Sequence, residues 1–176
     1  MCDATKRPLR RGAFPYLLST YSMYYIFGYG SLMNPASLEK TLPGKREVAR
    51  ATLRGYQRKM NAPVNGYLYL NIVPDSEKSI DGVMIAIDDE DFARLKRREI
   101  GYEAVDVSDK VSYAPGTVYA FVAPDKHHPG LPILQTYIET CSRHLSEGER
   151  ETWLAETIIQ NPILDDRTHP AYANAA

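Results

Sequence analysis

Cysteine is nearly absent from this 176-residue chain: only Cys2 and Cys141 occur, far apart and without metal-type spacing. That pattern excludes a disulfide framework and a cysteine-based zinc site, and makes a reducing, cytoplasmic setting the expectation. Long apolar runs are also missing, none approaching the ~20 residues that span a bilayer. Neither sign of charge is in excess, since 21 Lys and Arg against 22 Asp and Glu leave a formal net charge of -1. Nucleic-acid and membrane partners usually select a basic surface, so neither is expected. There is no internal repeat and no low-complexity segment. What remains has the length of one domain, long enough to bury a core without disulfides or metal.

The first 22 residues carry Lys6, Arg7, Arg10 and Arg11, but the apolar stretch from Phe14 to Leu18 is short and broken by Pro15. It does not make a signal peptide. It is expected to be a weakly ordered extension, with Met23 as an alternative start and the domain proper spanning 23–176.

Tyr24 to Phe27 is an aromatic, β-branched run that predicts a buried strand. It feeds Phe27-Gly28-Tyr29-Gly30-Ser31-Leu32 and then Asn34-Pro35, an N-cap followed by proline at the first helical position. A strand that stops at glycines and turns into a helix exposes several backbone N–H groups near a positive dipole end. Such a turn can hold an anion or a polarised carbonyl; equally, glycine can sit there for a positive φ or a close neighbour. A dinucleotide or P-loop site does not fit. The third glycine and the Gly-Lys-Ser/Thr are missing, and Arg50 and Arg54 stand where an acidic residue would close a βαβ unit.

Further along, a helix is expected from Asn34 to Leu42, stopped by Pro43-Gly44. Strands are expected over Glu47 to Leu53 and, after a break at Gly55, from Tyr56 to Met60. Tyr67 to Leu70 and Ile80 to Ile87 read as two more, separated by a polar loop from Asp75 to Ser79. Asp88 or Asp89 caps a helix reaching Arg98, with Phe92 and Leu95 on its apolar face. Tyr102 to Val107 and Thr117 to Val122 return as strands, and Pro124 to Pro129 is a loop. Two helices, Pro132 to Leu145 and Glu147 to Ile159, close the chain. Strands without a βαβ rhythm indicate an α+β class.

Glu99 falls at the C-terminal end of the Asp88–Arg98 helix. The negative end of the dipole disfavours its charged form, while Arg97 and Arg98 favour it. A carboxylate under opposing pulls before a glycine turn is a candidate proton shuttle, although most helix-end glutamates are simply solvated.

Taken together, the motifs resemble the gamma-glutamylcyclotransferase-like family (AIG2-like and ChaC-like proteins). The resemblance rests on Phe27-Gly28-Tyr29-Gly30-Ser31-Leu32, Leu53-Arg54-Gly55-Tyr56-Gln57-Arg58, Asn71-Ile72-Val73-Pro74 ahead of Asp81-Gly82-Val83, and Arg98-Glu99 followed by Gly101-Tyr102. It implies an α+β fold built on a small mixed β-barrel flanked by helices. It further implies that Tyr29, Gly30, Ser31, Leu32 and Tyr102 bind a γ-glutamyl moiety and that Glu99 acts as acid and base. The implied reaction closes 5-oxoproline by attack of the substrate's own α-amine on its γ-carbonyl, as in glutathione metabolism. The nucleophile belongs to the substrate, so no cofactor or metal is implied. The chain departs from the family pattern at Lys96, where many relatives carry aspartate. A further pocket tyrosine of some members is matched most nearly by Tyr119, which also reads as an ordinary strand aromatic.

Two other readings stay open. One is a non-catalytic module that senses a small metabolite. The other is cleavage of γ-glutamyl groups on a carrier protein or side chain, for which an open cleft near 130–132 is expected. Cys141 and His144, one helical turn apart, and His127-His128 in a proline loop fit a buried thiol and surface histidines better than catalysis or metal binding. Leaving group and oligomeric state are not encoded in these motifs.

Overall fold

The alternation in the first strand predicts two apolar faces, and the fold supplies a core for each. A computed structural model describes residues 24–167; the expectations for residues 1–22 lie outside them. Strand β1 (Tyr24–Gly28) pairs antiparallel with β3 (Tyr67–Ile87) and parallel with β5 (Val118–Val122). Ile26 packs with Leu42, Ile85, Ile87, Leu95 and Phe121. Phe27, next in sequence, joins the larger cluster with Leu53, Met60, Ile72, Ile138 and Trp153. A period of two thus places one residue in each core. Helices α1 (Pro35–Thr41) and α2 (Asp89–Arg98) supply Leu38, Phe92 and Leu95 to the first core; α3 (Gln135–Ser142) and α4 (Glu147–Ala155) supply Ile138, Cys141 and Trp153 to the second.

Strands β2 (Val48–Val64) and β3 form one long antiparallel hairpin. Its turn is Asn65-Gly66, with φ of 50° and 85°, the left-handed pair that suits the twist of a two-residue hairpin. This hairpin corrects two local expectations. Gly55 does not end a strand: it has φ of 77° and sits at a register shift between Arg54 and Tyr56, a bulge inside β2. The polar stretch from Asp75 to Ser79 belongs to strand β3, not to a loop, although only Ser79 of it pairs with β2, opposite Arg54, and its side chains mostly face solvent.

The six-stranded sheet runs β4-β5-β1-β3-β2-β7, where β4 is Glu103–Asp106 and β7 is Thr157–Ile158. The α+β class holds, but the implied barrel is not closed, because the outer strands β4 and β7 do not pair. The expected helix from Pro132 starts late: Ile133–Leu134 (β6) pairs with Ile163–Leu164 (β8) before α3 begins. The last expected helix ends early, since Thr157 and Ile158 pair in parallel with Arg58 and Lys59 of β2. That short pairing seats α4 and Trp153 against the middle of β2. Among the described residues, no helix is long and apolar enough to cross a membrane.

Candidate active site

After Gly28 the chain turns through Tyr29 and Gly30 into a single 3-10 turn (Ser31–Met33) and then α1. Asn34 caps α1 by accepting a hydrogen bond from the Ala36 amide at 3.0 Å, and its side-chain amide donates to the Thr140 carbonyl at 2.8 Å. The loop is therefore anchored to both α1 and α3. Positive φ does not explain the glycines, since Gly30 has φ of -139°. Crowding does. A Cβ on Gly28 would lie 3.1 Å from Leu32 Cβ, and one on Gly30 would lie 2.9 Å from Leu70 Cδ2. Gly82 lies behind the turn, where a Cβ would meet the Gly28 carbonyl oxygen at 2.5 Å.

Two buried groups fix the loop from within. The Tyr29 phenol donates to the Phe121 carbonyl, and Arg58 Nε donates to the Tyr29 carbonyl at 3.1 Å. Arg58 also donates through Nη2 to the Asp81 carbonyl, although its side chain is only 2% exposed. Burial lowers its guanidinium to about 10, with Glu156 and Asp81 opposing the shift. With the carbonyl of Tyr29 taken, the amides of Gly30, Ser31 and Leu32 have no protein acceptor among the described residues. They are the unpaired donors expected at the start of a helical turn.

The second half of the site comes from α2. Asp88 caps it through a hydrogen bond from the Asp91 amide at 2.9 Å, acidic residues fill its first turn, and Lys96, Arg97 and Arg98 fill its last. Arg46 clamps the helix through a bidentate pair with Asp91, in which Nη2 meets Oδ1 at 2.9 Å. Glu99 is the C-cap residue. Gly101, with φ of 86°, then reverses the chain so that the Tyr102 amide donates to the Glu99 carbonyl at 3.1 Å. The Tyr102 phenol donates to the Leu70 carbonyl at 2.7 Å.

Glu99 and Tyr102 line one cavity of about 40 Å³ together with Tyr29, Gly30, Ser31 and Leu32, so all six sequence-chosen residues converge. Leu32 contributes there while its side chain also packs in the first core. Arg98 ties the two halves, with Nη2 donating to Ser31 Oγ at 3.0 Å and Nη1 at 3.4 Å from Glu99 Oε1. Burial raises the Glu99 carboxyl above its ordinary 4.5, and Arg98 holds part of that shift back. Burial, and secondarily the neighbouring Glu99, pushes the Tyr102 phenol up; Tyr29 is likewise raised, first by burial. Both phenols therefore remain neutral donors at any physiological pH.

The carboxyl-bearing Glu99 and a turn whose amides lack a protein acceptor thus line the same cavity. A model of the family described as "Gamma-glutamyl cyclotransferase, AIG2-like" matches residues 26–139, well over half of the chain and every element of that cavity. The chain belongs to the gamma-glutamyl cyclotransferase, AIG2-like family. Among solved structures, YkqA from Bacillus subtilis is similar at 21% identity and a TM-score of 0.63, over 80% of this chain and 56% of that one. The chain thus spans a little over half the length of YkqA. A protein named gamma-glutamyl cyclotransferase matches at 14% identity and a TM-score of 0.63, and the human protein loc79017, described as uncharacterized, at 15% and 0.61. Each of these two alignments covers 82% of this chain and 95% of the other. At such identities the likeness is one of fold. No curated protein matches the chain.

Tyr137 of α3 also lines the Glu99 cavity, and Tyr119 does not. Tyr119 shares a strand face with Phe121, which lines the cavity, but lies two residues along β5 and packs between Tyr24 and Phe92 at ring distances of 6.1 and 5.2 Å. Lys96 lies 5.7 Å over the Phe92 ring at the surface, so the departure from the family's aspartate falls outside the cavity. Cys141 is fully buried, and burial pushes its thiol up to about 12, leaving no thiolate for chemistry. Among the described residues no three His, Cys, Asp or Glu side chains group as a metal site, His127 and His128 included. Residues 130–132 line neither the Glu99 cavity nor a larger one of about 630 Å³ beside α4. Arg58 and Tyr137 carried no sequence signal of a site role beyond the place of Arg58 in a Gly-Tyr-x-Arg run.

Proposed function

We propose that this protein is a gamma-glutamyl cyclotransferase that releases 5-oxoproline from a small γ-glutamyl amine, amino acid or peptide. The observation that carries the reading is the convergence of Glu99 with the unpaired amides of Gly30, Ser31 and Leu32 around one cavity. The nucleophile is the substrate's own α-amine, so the protein's work is to fold a flexible glutamyl chain into attack geometry. Glu99 takes a proton from the attacking nitrogen as the C–N bond of the five-membered ring forms. It then returns that proton to the departing nitrogen as the original amide bond breaks, so the protein ends as it began. Burial suits Glu99 to this role, because a raised carboxyl accepts a proton more readily than an ordinary glutamate and keeps it bound until the departing nitrogen takes it.

The negative charge that gathers on the γ-carbonyl oxygen requires donors already aimed at it. One preorganised amide is typically worth about 3 kcal/mol of barrier. Arg58 holds the Tyr29 carbonyl, which leaves the following amides free to donate to the substrate. A cavity of about 40 Å³ holds little more than a water molecule, and a glutamyl tail is larger. Its entry therefore parts the exposed Arg98–Ser31 hydrogen bond at the cavity edge.

The test is 5-oxoproline release from a panel of γ-glutamyl amines, amino acids and dipeptides, with wild type and Glu99→Gln compared. Turnover of at least one member by wild type, and its loss in the variant, is the expected result. Equal rates in the two proteins would remove Glu99 from the mechanism.

A further inference from the structure

A second and much larger cavity, about 630 Å³, opens between β2, β3 and α4, and no residue lines both cavities. Its volume falls in the range of small-molecule sites. Met33, Val83, Leu145 and the Trp153 ring give it an apolar lining. Its polar groups are unevenly satisfied. Trp153 is 3% exposed, and its indole Nε1, which can only donate, has no partner. His144 Nδ1 is likewise buried and unpartnered. Arg58 lies 5.7 Å over the Trp153 ring; its Nε and Nη2 are spent on the Tyr29 and Asp81 carbonyls. Its Nη1 has only Glu156 Oε2 at 3.9 Å, beyond hydrogen-bond reach.

The charges divide in the same way. Arg50 and Glu149 neutralise each other at 2.7 Å. Asp81 accepts only the Thr52 hydroxyl, at 2.8 Å, and makes no ion pair among the described residues; Glu156 is half-exposed with its one distant arginine. The site therefore offers a buried cation beside a buried N–H donor at its base, and two underused carboxylates at its rim.

We propose that this cavity is a second ligand site, for a small zwitterion the size of a free amino acid or dipeptide with an apolar side chain. The ligand carboxylate accepts a charge-assisted hydrogen bond from Arg58 Nη1 through one oxygen and one from the Trp153 indole N–H through the other. The ligand ammonium faces Asp81 and Glu156, and its side chain covers the Met33, Val83 and Leu145 surface. No bond is made or broken. Because Arg58 also holds the Tyr29 carbonyl, an occupant here touches the back of the loop that lines the Glu99 cavity.

Trp153 is the single tryptophan of the chain, so its emission reports on this site directly. The experiment titrates the full-length protein with L-leucine, L-phenylalanine and Leu-Leu, and with isoamylamine and L-leucinamide as matched compounds lacking the carboxylate, with equilibrium dialysis alongside. A saturable emission change with the zwitterions, at least about tenfold weaker for the amine and amide, is expected. Gly148 lines the cavity and a Cβ there meets nothing within 4 Å, so Gly148→Phe fills the space without a backbone clash and abolishes binding. Glu156→Gln, a shape-conserving second variant, weakens binding about tenfold. Glu99→Gln leaves it unchanged, which separates this site from the reaction cavity. Absence of saturable binding by both methods, equal binding of the amine, or full binding by both cavity variants would overturn the proposal.

Discussion

Glu99 and Glu149 both stand at the end of a helix with an arginine in contact, yet the fold drives their protons in opposite directions. Glu149, in the first turn of α4, accepts from the Ser146 amide and hydroxyl at 2.9 and 2.7 Å and pairs with Arg50. These hydrogen bonds, the hydroxyl's first, hold its carboxyl down at about 2. Glu99 closes α2, where the backbone presents carbonyls instead of amides, and its Arg98 partner is farther away at 3.4 Å. Burial dominates there and the carboxyl rises. The arginine is common to both and so does not decide; which helix end the carboxylate caps, and how much water reaches it, do. One glutamate is locked as an anion that fastens a helix, and the other is left able to exchange a proton.

The largest expected effect separates the pair by function. Glu99→Gln lowers 5-oxoproline release by roughly 100- to 10,000-fold, the usual range for a lost proton shuttle. Glu149→Gln leaves turnover within twofold of wild type, as steady-state rates would check. A loss of similar size in both variants would show that the contrast is irrelevant to catalysis.

The next effect tests the balance at Glu99 itself. Replacing Arg98 by methionine removes the charge that opposes burial, so the carboxyl rises further. The acidic limb of the pH–rate profile then moves to higher pH, because the carboxylate needed as base forms later. The same variant removes the Arg98–Ser31 hydrogen bond that substrate entry must part, so KM falls. An unmoved limb would mean that another group sets it.

Stability should depend on pH with opposite sign at the two sites. The folded chain binds the Glu99 proton more tightly than the unfolded chain does. Its contribution is therefore full below the ordinary glutamate value of 4.5 and is lost as pH rises through the raised folded value. Glu149 is depressed on folding, so its contribution is present above 4.5 and is lost as pH falls toward about 2. Urea melts across that range should show Glu99→Gln removing a decline at rising pH and Glu149→Gln removing one at falling pH.

The smallest effect lies in the cap. Ser146→Ala costs about 0.5–1 kcal/mol of stability and lets the Glu149 carboxyl climb toward its ordinary value, as a carboxyl NMR titration would record. Turnover stays unchanged.

What the sequence disclosed follows the range of each interaction. The Asn34-Pro35 start, the Asp88 cap and the Gly101 stop are local, and each appears within a residue or two of its expected place. The middle of the long hairpin is not local. Asp75 to Ser79 carry no apolar alternation and Gly55 signals a break, yet β2 and β3 pair on both sides of them, at Arg54–Ser79 and Tyr56–Pro74, and hold both stretches extended. The same division holds at the site. Glu99 and the glycine turn stand in motifs that can be recognised, while Arg58 is recruited by a carbonyl 29 positions away and Tyr137 by a helix packed across the sheet. Tyr119 failed for a complementary reason: it shares a strand face with the cavity-lining Phe121, and no pattern within β5 says how far along that face the cavity reaches.

The most direct measurement is a crystal structure of the protein soaked with 5-oxoproline. The account predicts the ring in the cavity between α2 and the glycine turn, its oxygens on the amides of Gly30 to Leu32 and its nitrogen within hydrogen-bond reach of the Glu99 carboxyl. A ring bound elsewhere, or a Glu99 side chain turned to solvent with the amides unoccupied, would contradict it.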